Sequence, residues 1–416
     1  MAYGCTVICG AALCLLQLFL LILCHKINNM LSVTPNVRFV GVEDDNLDLF
    51  EGQYPLQKGI SYNSYVIDDE KIAVVDSVDR RRCREWLAKL EAALNGRTPD
   101  YLIVQHMEPD HSGSIRLMLE KYPSVKIVAT AKALEMLGCF FEGMDVAERC
   151  MAVCDNDTLE LGRVSLRFFT APMVHWPEVM MTLDETDGVL FSADAFGSFA
   201  TYSAAQACDD EARRYYCNIV GKYGSSVQAV MKKLAGRNFR IIAPLHGPVL
   251  CGDLAGYWML YDKWSRYVPE TDGVLVAYAS IYGGTAEAAM RLAAMLEENH
   301  AGEVVLMDLN RHDVSYAVAE AFRLSRMALC CATYDGGLFP SMHNFLHHLA
   351  MKNFRNRPVA LVENGSWAPM AGKLMGDMLG KMKDMPPVAP AVTIRSRMHA
   401  GDIPALRCLA EALAKA

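Results

Sequence analysis

Residues 104–114 read VQHMEPDHSGS, and the interpretation of the first half of the chain begins with this stretch. It opens at the end of an apolar run typical of a buried strand, and its closing serines and glycine are typical of a helix start. Between these signals stand His106, Glu108, Asp110 and His111, in the pattern H-x-E-x-D-H. Four side chains of metal-binding type so close together predict a metal site at a strand end.

Three further polar residues follow apolar runs in the same way. They are His175 in APMVHWPE, Asp194 in LFSADAFG and His246 in APLHGP. A single buried histidine or aspartate is usually a satisfied structural group, but all seven residues together predict a site for two metals. The sequence predicts one metal on His106, Glu108 and His175, a second on Asp110, His111 and His246, and Asp194 as the bridge.

The types of ligand indicate which metal is bound. Zinc hydrolases with a similar motif favour histidine at the third position, where this chain has Glu108. Four imidazoles and three carboxylates form a harder and more anionic set, which suits iron or manganese and redox chemistry. A zinc hydrolase is the alternative.

Length and composition indicate a globular protein with more than one domain. The chain has 416 residues, of which 52% are hydrophobic and 21% charged, so two domains are expected. A net charge of -8 argues against non-specific nucleic-acid binding. The 14 cysteines form no C-x-x-C pair, which favours free thiols in a reducing cytoplasm.

The N-terminus carries an apolar segment between Cys5 and Cys24 that is about long enough to cross a bilayer. We interpret residues 1–29 as an extension, either a membrane anchor or a mis-assigned start upstream of Met30. As an anchor, its flanking Lys26 would leave the rest of the chain in the cytoplasm. Both readings therefore place the functional part of the protein in the cytoplasm.

Two patterns of secondary structure divide the remaining chain. Residues 30–264 combine early strand–helix repeats with later successive strands, which predicts a sheet-on-sheet core with helices outside. Residues 265–273, SRYVPETDG, are the predicted linker. Residues 274–416 alternate apolar strands, loops and helices, which predicts a doubly wound parallel α/β domain.

Three loops of the second domain predict a flavin site. SIYGGT, at residues 280–285, joins a strand to a helix and offers hydroxyls, backbone N–H groups and a helix N-terminus to one phosphate. It lacks the lysine of a Walker loop, and no G-x-G-x-x-G motif occurs, so FMN is favoured over a nucleotide or dinucleotide. The predicted contacts are Ser280, Ile281, Tyr282, Gly283, Gly284, Thr285, Thr333, Tyr334, Asp335, Gly336, Gly337, Asn364, Gly365, Ser366 and Trp367.

From about residue 30 to 416 the chain resembles the two-domain class of flavodiiron proteins (A-type flavoproteins). The resemblance is carried by H-x-E-x-D-H, HWPE, DAFG and LHGP in this order, with GISYNSYVID and EARRYYCNIVGKYG. Ala332 and Asp335 stand where the family more often has proline and asparagine, and Lys222 stands where a proline is common. The resemblance implies a metallo-β-lactamase-like αβ/βα domain followed by a flavodoxin-like domain.

The same resemblance implies a function. It implies two iron ions at the seven predicted ligands, FMN in the second domain, and reduction of dioxygen to water or of nitric oxide to nitrous oxide. It also implies a head-to-tail homodimer, possible assembly into a homotetramer, and an electron donor of the rubredoxin type. Two alternatives stay open: a zinc hydrolase of the metallo-β-lactamase type with an accessory flavodoxin domain, and a flavodoxin-like electron carrier with a degenerate partner domain. The complete ligand set disfavours the second.

Two aromatic residues are predicted to take part in catalysis. Tyr216 could donate a hydrogen bond to a metal-bound substrate, although a tyrosine in RRYYCN also suits helix packing. Trp367 could shield the flavin edge near the metal site, or cap its loop. The sequence leaves both alternatives open.

Overall fold

The computed structural model describes residues 32–144, 147–204 and 209–416. The predicted extension, residues 1–29, lies outside the described residues. Within the described ranges, no helix combines the length and apolar character needed to cross a membrane.

The first part of the chain contains two six-stranded sheets. The order in the first sheet is β1-β6-β7-β8-β9-β10, and in the second β11-β12-β13-β14-β15-β16. The strands of these sheets, and of two further two-stranded sheets, are β1 Val37–Phe39, β2 Val42–Asp44, β3 Leu49–Phe50, β4 Tyr54–Pro55, β5 Ile60–Tyr62, β6 Tyr65–Asp68, β7 Ile72–Val75, β8 Tyr101–Val104, β9 Lys126–Ala129, β10 Cys150–Ala152, β11 Thr158–Glu160, β12 Ser165–Thr170, β13 Met180–Asp184, β14 Val189–Phe191, β15 Ile241–Ala243 and β16 Leu250–Cys251.

The two sheets pack face to face, and helices cover their outer faces. Buried side chains from both sheets, such as Ile67, Val75, Phe168 and Phe191, form one apolar cluster between them. Because side chains alternate along a strand, neighbouring residues such as Val74 point to the opposite face and join the helix-covered core. This arrangement confirms the predicted αβ/βα sandwich.

The last part of the chain forms a third sheet with the order β18-β17-β19-β21-β22, in which these five strands are parallel. The strands, including β20, which pairs with the end of β19, are β17 Thr271–Ala279, β18 Glu303–Asp308, β19 Leu324–Tyr334, β20 Gly337–Leu338, β21 Val359–Asn364 and β22 Val392–Ile394. This order confirms the predicted flavodoxin-like doubly wound sheet.

The helices surround these three sheets. They are α1 Cys83–Leu94, α2 Pro109–Ser112, α3 Ile115–Lys121, α4 Ala131–Phe140, α5 Asp209–Tyr215, α6 Gly224–Leu234, α7 Leu254–Ser265, α8 Gly284–Glu298, α9 Val314–Arg323, α10 Pro340–Met351, α11 Ala371–Leu379 and α12 Ile403–Ala414. A π-helix, Tyr216–Val220, continues α5. Helix α7 ends at Ser265 and β17 begins at Thr271, so the end of the predicted linker lies within a strand.

Buried polar contacts join the third sheet's helices to the first part of the chain. The Arg214 guanidinium lies between the rings of Phe199, at 4.3 Å, and Tyr316, at 4.4 Å. It also donates to the hydroxyl of Ser315 at 3.1 Å. The ammonium of Lys352, after α10, donates to the carbonyl of Asn218 in the π-helix. The helix and π-helix beside the predicted metal site are therefore held in part by the second domain.

Candidate metal centre and cofactor cavity

Each predicted metal ligand lies close beyond the carboxyl end of a strand in one of the two packed sheets. The positions are His106 after β8, Glu108, Asp110 and His111 at or in α2, His175 between β12 and β13, Asp194 after β14, and His246 after β15. Strand ends of both sheets meet at one edge of the sandwich. The fold therefore brings together residues that are separated by up to 140 positions in sequence.

The first group of ligands is His106, Glu108, His175 and Asp194, whose ligand atoms all lie within 4.8 Å of one another. Nε2 of His175 is 3.0 Å from Oε2 of Glu108 and 2.9 Å from Oδ2 of Asp194. Nε2 of His106 is 3.2 Å from the same glutamate oxygen and 3.3 Å from the same aspartate oxygen. These four atoms surround one position suited to a metal ion.

The second group is Asp110, His111 and His246, whose ligand atoms also lie within 4.8 Å of one another. Oδ2 of Asp110 is 3.4 Å from Nε2 of His111 and 3.2 Å from Nε2 of His246. The other carboxylate oxygen of Asp194, Oδ1, is 3.4 Å from His111 and 3.8 Å from His246. Asp194 therefore presents one oxygen to each group, as a bridging ligand would.

Several polar atoms of the two groups lack hydrogen-bond partners, as is expected of ligands for two cations. Both carboxylate oxygens of Asp110 and Oδ1 of Asp194 are buried and lack a hydrogen-bond partner among the described residues. Nε2 of His111 and Nε2 of His246 are 3.0 Å apart. If both nitrogens were unprotonated, as in metal-binding imidazoles, their lone pairs would face each other and repel at this distance. Two divalent ions would neutralise the three carboxylates and leave no buried anion unpaired, and the four imidazoles would add neutral ligands.

The electrostatics of the cluster show strong charge complementarity. Burial acts to lower the pKa of His106, but the Asp194 carboxylate raises it well above its ordinary value. Burial acts in the opposite direction on Asp194, and His106 then lowers the pKa of this carboxyl group well below its usual range. Against the effect of burial, His106 and His175 lower the pKa of Glu108 to about 2. The carboxylates of Glu108 and Asp194 are therefore ionised and available as ligands near neutral pH.

The two adjacent tyrosines in RRYYCN point in different directions. Tyr216, the predicted catalytic residue, packs its buried ring at 5.0 Å from Tyr261 and 5.3 Å from Trp264. Tyr215 places its ring 5.6 Å from that of His246. Burial, followed by the charges of Asp194 and other ligands, raises the pKa of Tyr215 well above its ordinary value. Tyr215 therefore faces the metal cluster, and the structure does not bring Tyr216 there.

Sequence reasoning passed over Tyr215, and helical spacing alone shows only that one of the two tyrosines, not both, can face the site. Successive residues of a helix differ by about 100° in direction, so two neighbouring tyrosines cannot both face the same site. Which of the two does so depends on how the helix is rotated against the sheets, and RRYYCN does not encode this rotation by itself.

A cavity of about 950 Å³ lies at the carboxyl end of the third sheet. Of the predicted flavin contacts, it is lined by Ser280, Ile281, Tyr282, Gly283, Gly284, Thr285, Thr333, Tyr334, Asp335, Gly336, Asn364, Gly365, Ser366 and Trp367. Gly337 is not among the lining residues and pairs with Tyr334 in the hairpin formed by β19 and β20. The three predicted loops thus form one cavity, whose size suits a cofactor such as FMN.

Backbone geometry shapes the part of the cavity suited to a phosphate. Gly283 has a φ of +92°, which favours glycine, and Gly284 begins α8. A Cβ added to Gly284 would lie 2.2 Å from the carbonyl oxygen of Ser396, so no larger residue fits without a shift of the backbone. The hydroxyl of Ser280 accepts a hydrogen bond from the N–H of Gly283 at 3.1 Å. This cradle at a helix N-terminus suits a dianionic phosphate.

A fourth loop, which follows β22, also contributes to the cavity. Its residues Ser396 and Arg397 line the cavity, and Ser396 is held by Asn364 through two hydrogen bonds of 3.1 and 3.2 Å. Sequence reasoning omitted this loop because it has no glycine-rich motif. The signal available was its position after the fifth parallel strand, at the same edge of the sheet as the other loops.

Fold and site together define a metallo-β-lactamase-like domain with two adjacent groups of possible metal ligands, joined to a flavodoxin-like domain with a cavity of cofactor size. The profile of the ODP family beta lactamase matches residues 60–247. The anaerobic nitric oxide reductase flavorubredoxin of Aeromonas hydrophila is 29% identical over 351 residues, which cover 81% of this chain and 70% of that protein. The corresponding protein of Pectobacterium atrosepticum is 28% identical, with 81% and 68% covered.

Solved structures match both domains together. The rubredoxin oxygen:oxidoreductase of Desulfovibrio gigas aligns with a TM-score of 0.86 and 25% identity, covering 92% of this chain and 97% of that chain. The flavodiiron protein of Giardia intestinalis aligns with a TM-score of 0.86 and 26% identity, covering 92% and 95%. Over both domains, the chain is therefore similar to flavodiiron proteins.

Proposed function

We propose that this protein is an oxidoreductase that reduces dioxygen to water, nitric oxide to nitrous oxide, or both, at a pair of iron ions. Electrons reach this site through FMN from a donor of the rubredoxin type. The observation that carries the proposal is the presence in one chain of a complete seven-residue ligand set and a flavin-sized cavity. Relatives named for nitric oxide reduction and for rubredoxin-dependent oxygen reduction support it.

The residues of the chain have distinct parts in this function. The ligands His106, Glu108, His175, Asp110, His111, His246 and the bridging Asp194 would hold the two irons. When bound, the irons supply reduced, open positions for a small gas molecule, and FMN supplies electrons one at a time. The rings of Phe50 and Tyr215 lie 5.1 and 5.6 Å from His246, so they limit access of water from this side.

The zinc-hydrolase alternative is not favoured. It explains the packed sheets, but not the cavity in the second domain or the relatives that share both domains. The electron-carrier alternative leaves the ordered metal-ligand cluster without a role. An oxidoreductase that uses both sites explains all these observations.

The assembly that we propose is a head-to-tail homodimer in which the flavin of one subunit lies against the metal pair of the other. The cavity rim supports this assembly, because the side chains of Tyr282 and Trp367 are 98% and 89% exposed. Large exposed aromatic residues are typical of surfaces that bind a partner. Such a contact would give Trp367 its predicted place between the flavin and the metals.

We also propose a cytoplasmic location for the functional part of the chain. The cysteines within the described residues are free thiols, and several of them, such as Cys139 and Cys408, are exposed. Exposed free thiols suit a reducing compartment.

The experiment that tests the function combines cofactor analysis with turnover. We expect the purified protein to be yellow, to contain about two irons and one FMN per chain, and to consume oxygen or nitric oxide when supplied with a reduced rubredoxin. The ratio of the two rates gives the preferred gas. A colourless protein that contains zinc and hydrolyses an ester or amide would contradict the proposal and support the alternative.

A further inference from the structure

The histidine ligands differ in what their second ring nitrogen contacts. Nδ1 of His106 lies 2.8 Å from Oε1 of Glu178, the last residue of the HWPE motif, to which the sequence analysis gave no role of its own. Nδ1 of His246 lies 2.8 Å from the backbone carbonyl oxygen of Ser61. Nδ1 of His111 is buried and has no hydrogen-bond partner among the described residues. The two metal positions are therefore supported unequally.

The Glu178 carboxylate is firmly held behind His106. Its side chain is fully buried, and Oε1 also accepts a hydrogen bond from the N–H of Met107 at 2.9 Å. The hydroxyl of Thr130 donates to the backbone carbonyl of Glu178 at 2.8 Å. The ring of Trp176 contacts the His106 ring edge to face, with centroids 5.2 Å apart. These contacts fix both the carboxylate and the imidazole that it faces.

This contact determines which nitrogen of His106 is free to bind a metal. An ionised carboxylate only accepts hydrogen bonds, so the proton of the neutral imidazole belongs on Nδ1. Nε2 is then unprotonated and points towards Glu108 and Asp194, at 3.2 and 3.3 Å. A carboxylate behind a histidine ligand fixes the tautomer and makes the imidazole more basic, whereas a neutral carbonyl, as behind His246, has a weaker effect.

We propose that Glu178 is a positioning residue that makes the metal position of His106, Glu108 and His175 the tighter of the two. Among the described residues, no carboxylate lies within hydrogen-bond distance of Nδ1 of His111 or His246, so the position of Asp110, His111 and His246 releases its metal first. This inference rests on the proposed metal pair and adds an order of metal retention to it.

The test uses the full-length holoenzyme challenged with an excess of a strong chelator. We expect wild-type protein to lose its metals in two phases of equal amplitude. Glu178→Gln keeps an oxygen acceptor near its normal place but removes the charge, so the slow phase should become about 10- to 100-fold faster while the fast phase stays unchanged. Glu178→Leu, which removes both features, should accelerate the slow phase at least as much.

Two controls separate this role from a general loss of packing. Asp184→Asn alters another buried carboxyl group of the same sandwich that contacts no metal ligand, and it should leave both phases unchanged. FMN content, which depends on the other domain, should stay normal in every variant. Should Glu178→Gln fail to fold, His175→Ala provides a second test, because it should abolish the slow phase and leave the fast one.

Several results would overturn the inference. They are a single phase of metal loss in wild-type protein, an equal acceleration of both phases in Glu178→Gln, or loss of the fast phase in His175→Ala. Failure of the proposed function would be visible separately, since wild-type protein would then contain zinc instead of iron. The two phases of metal loss would still test the role of Glu178 in that case.

Discussion

The metal centre and the cofactor cavity are built in contrasting ways. The metal centre is a buried set of charged side chains, in which His106, His111 and Asp194 are at most 1% exposed. The cavity is open to solvent and shaped by backbone turns, with Gly283 and Gly284 at its phosphate end and exposed aromatic residues at its rim. The comparison shows that the first site depends on which side chains are present, and the second on which side chains are absent.

The strongest test of this contrast removes one side chain from the metal centre. His111→Ala should lower oxygen or nitric oxide turnover by at least ~100-fold, because a ligand of one metal is lost. FMN content should remain normal, since the cavity belongs to the other domain. Iron analysis, flavin absorbance and gas consumption check these outcomes. Loss of FMN with full iron content would break the proposed separation of the two sites.

The matching test adds one side chain to the cavity. Gly284→Ala would place a Cβ 2.2 Å from the backbone oxygen of Ser396, so FMN should bind roughly 10- to 100-fold more weakly, while iron content stays normal. Gly376→Ala is a suitable control, because a Cβ at that helical position meets nothing within 4 Å. Fluorescence titration of the flavin-free proteins measures both affinities. Equal affinity for FMN in the two variants would show that the backbone cradle does not control binding.

The assembly of the two sites can be tested by combining inactive subunits. A subunit with His111→Ala and one with bulky residues at Gly284 and Thr285 should each form inactive homodimers. In a mixed dimer, one intact flavin faces one intact metal pair, and random pairing makes about half of the dimers mixed, so about a quarter of normal activity should return. Zero turnover in a co-expressed dimeric sample with verified cofactors would favour electron transfer within one chain.

The smallest expected effect concerns a buried carboxyl group that binds no metal. Burial raises the pKa of Asp184 to about 6, with a further contribution from the charges of Asp187 and Asp69. The folded state therefore holds this proton more tightly than the unfolded chain does. The stabilisation by the protonated Asp184 is complete below about pH 4 and is lost as the pH rises to about 6.

Asp184→Asn should remove this pH dependence. Its amide oxygen can still accept from the N–H groups of Thr186 and Asp187, both at 2.9 Å in the wild type. Between pH 4 and pH 6, the free energy of unfolding of the wild type should fall by on the order of 1 kcal/mol relative to that of the variant. Chemical unfolding curves at several pH values measure this difference. A constant difference across that range would contradict the raised pKa.

Much of both sites was predictable from local sequence. H-x-E-x-D-H places four ligands in six residues, and His175, Asp194 and His246 each follow an apolar strand, so the spatial cluster follows from one rule about strand ends. The glycines of SIYGGT and the loops after the next parallel strands predict the cavity by the same reasoning. Local chemistry and strand position were sufficient in these cases.

Other features depend on contacts between distant segments. Tyr215 faces His246, whereas the predicted Tyr216 faces Tyr261, because packing against both domains sets the rotation of their helix. Glu178 lies behind His106 although 72 positions separate them. No short motif encodes such distances.

The sequence by itself determined the two fold classes, the seven candidate metal ligands and most of the loops that line the cavity, because alternation of apolar residues and clustered ligand types are local properties of a chain. The tertiary structure decided which tyrosine meets the metals, which carboxylate supports a ligand, and that Ser396 and Arg397 complete the cavity. The physical reason is that side-chain direction and hydrogen-bond partners depend on how elements rotate and pack together. That packing is fixed by the whole core and not by any single segment.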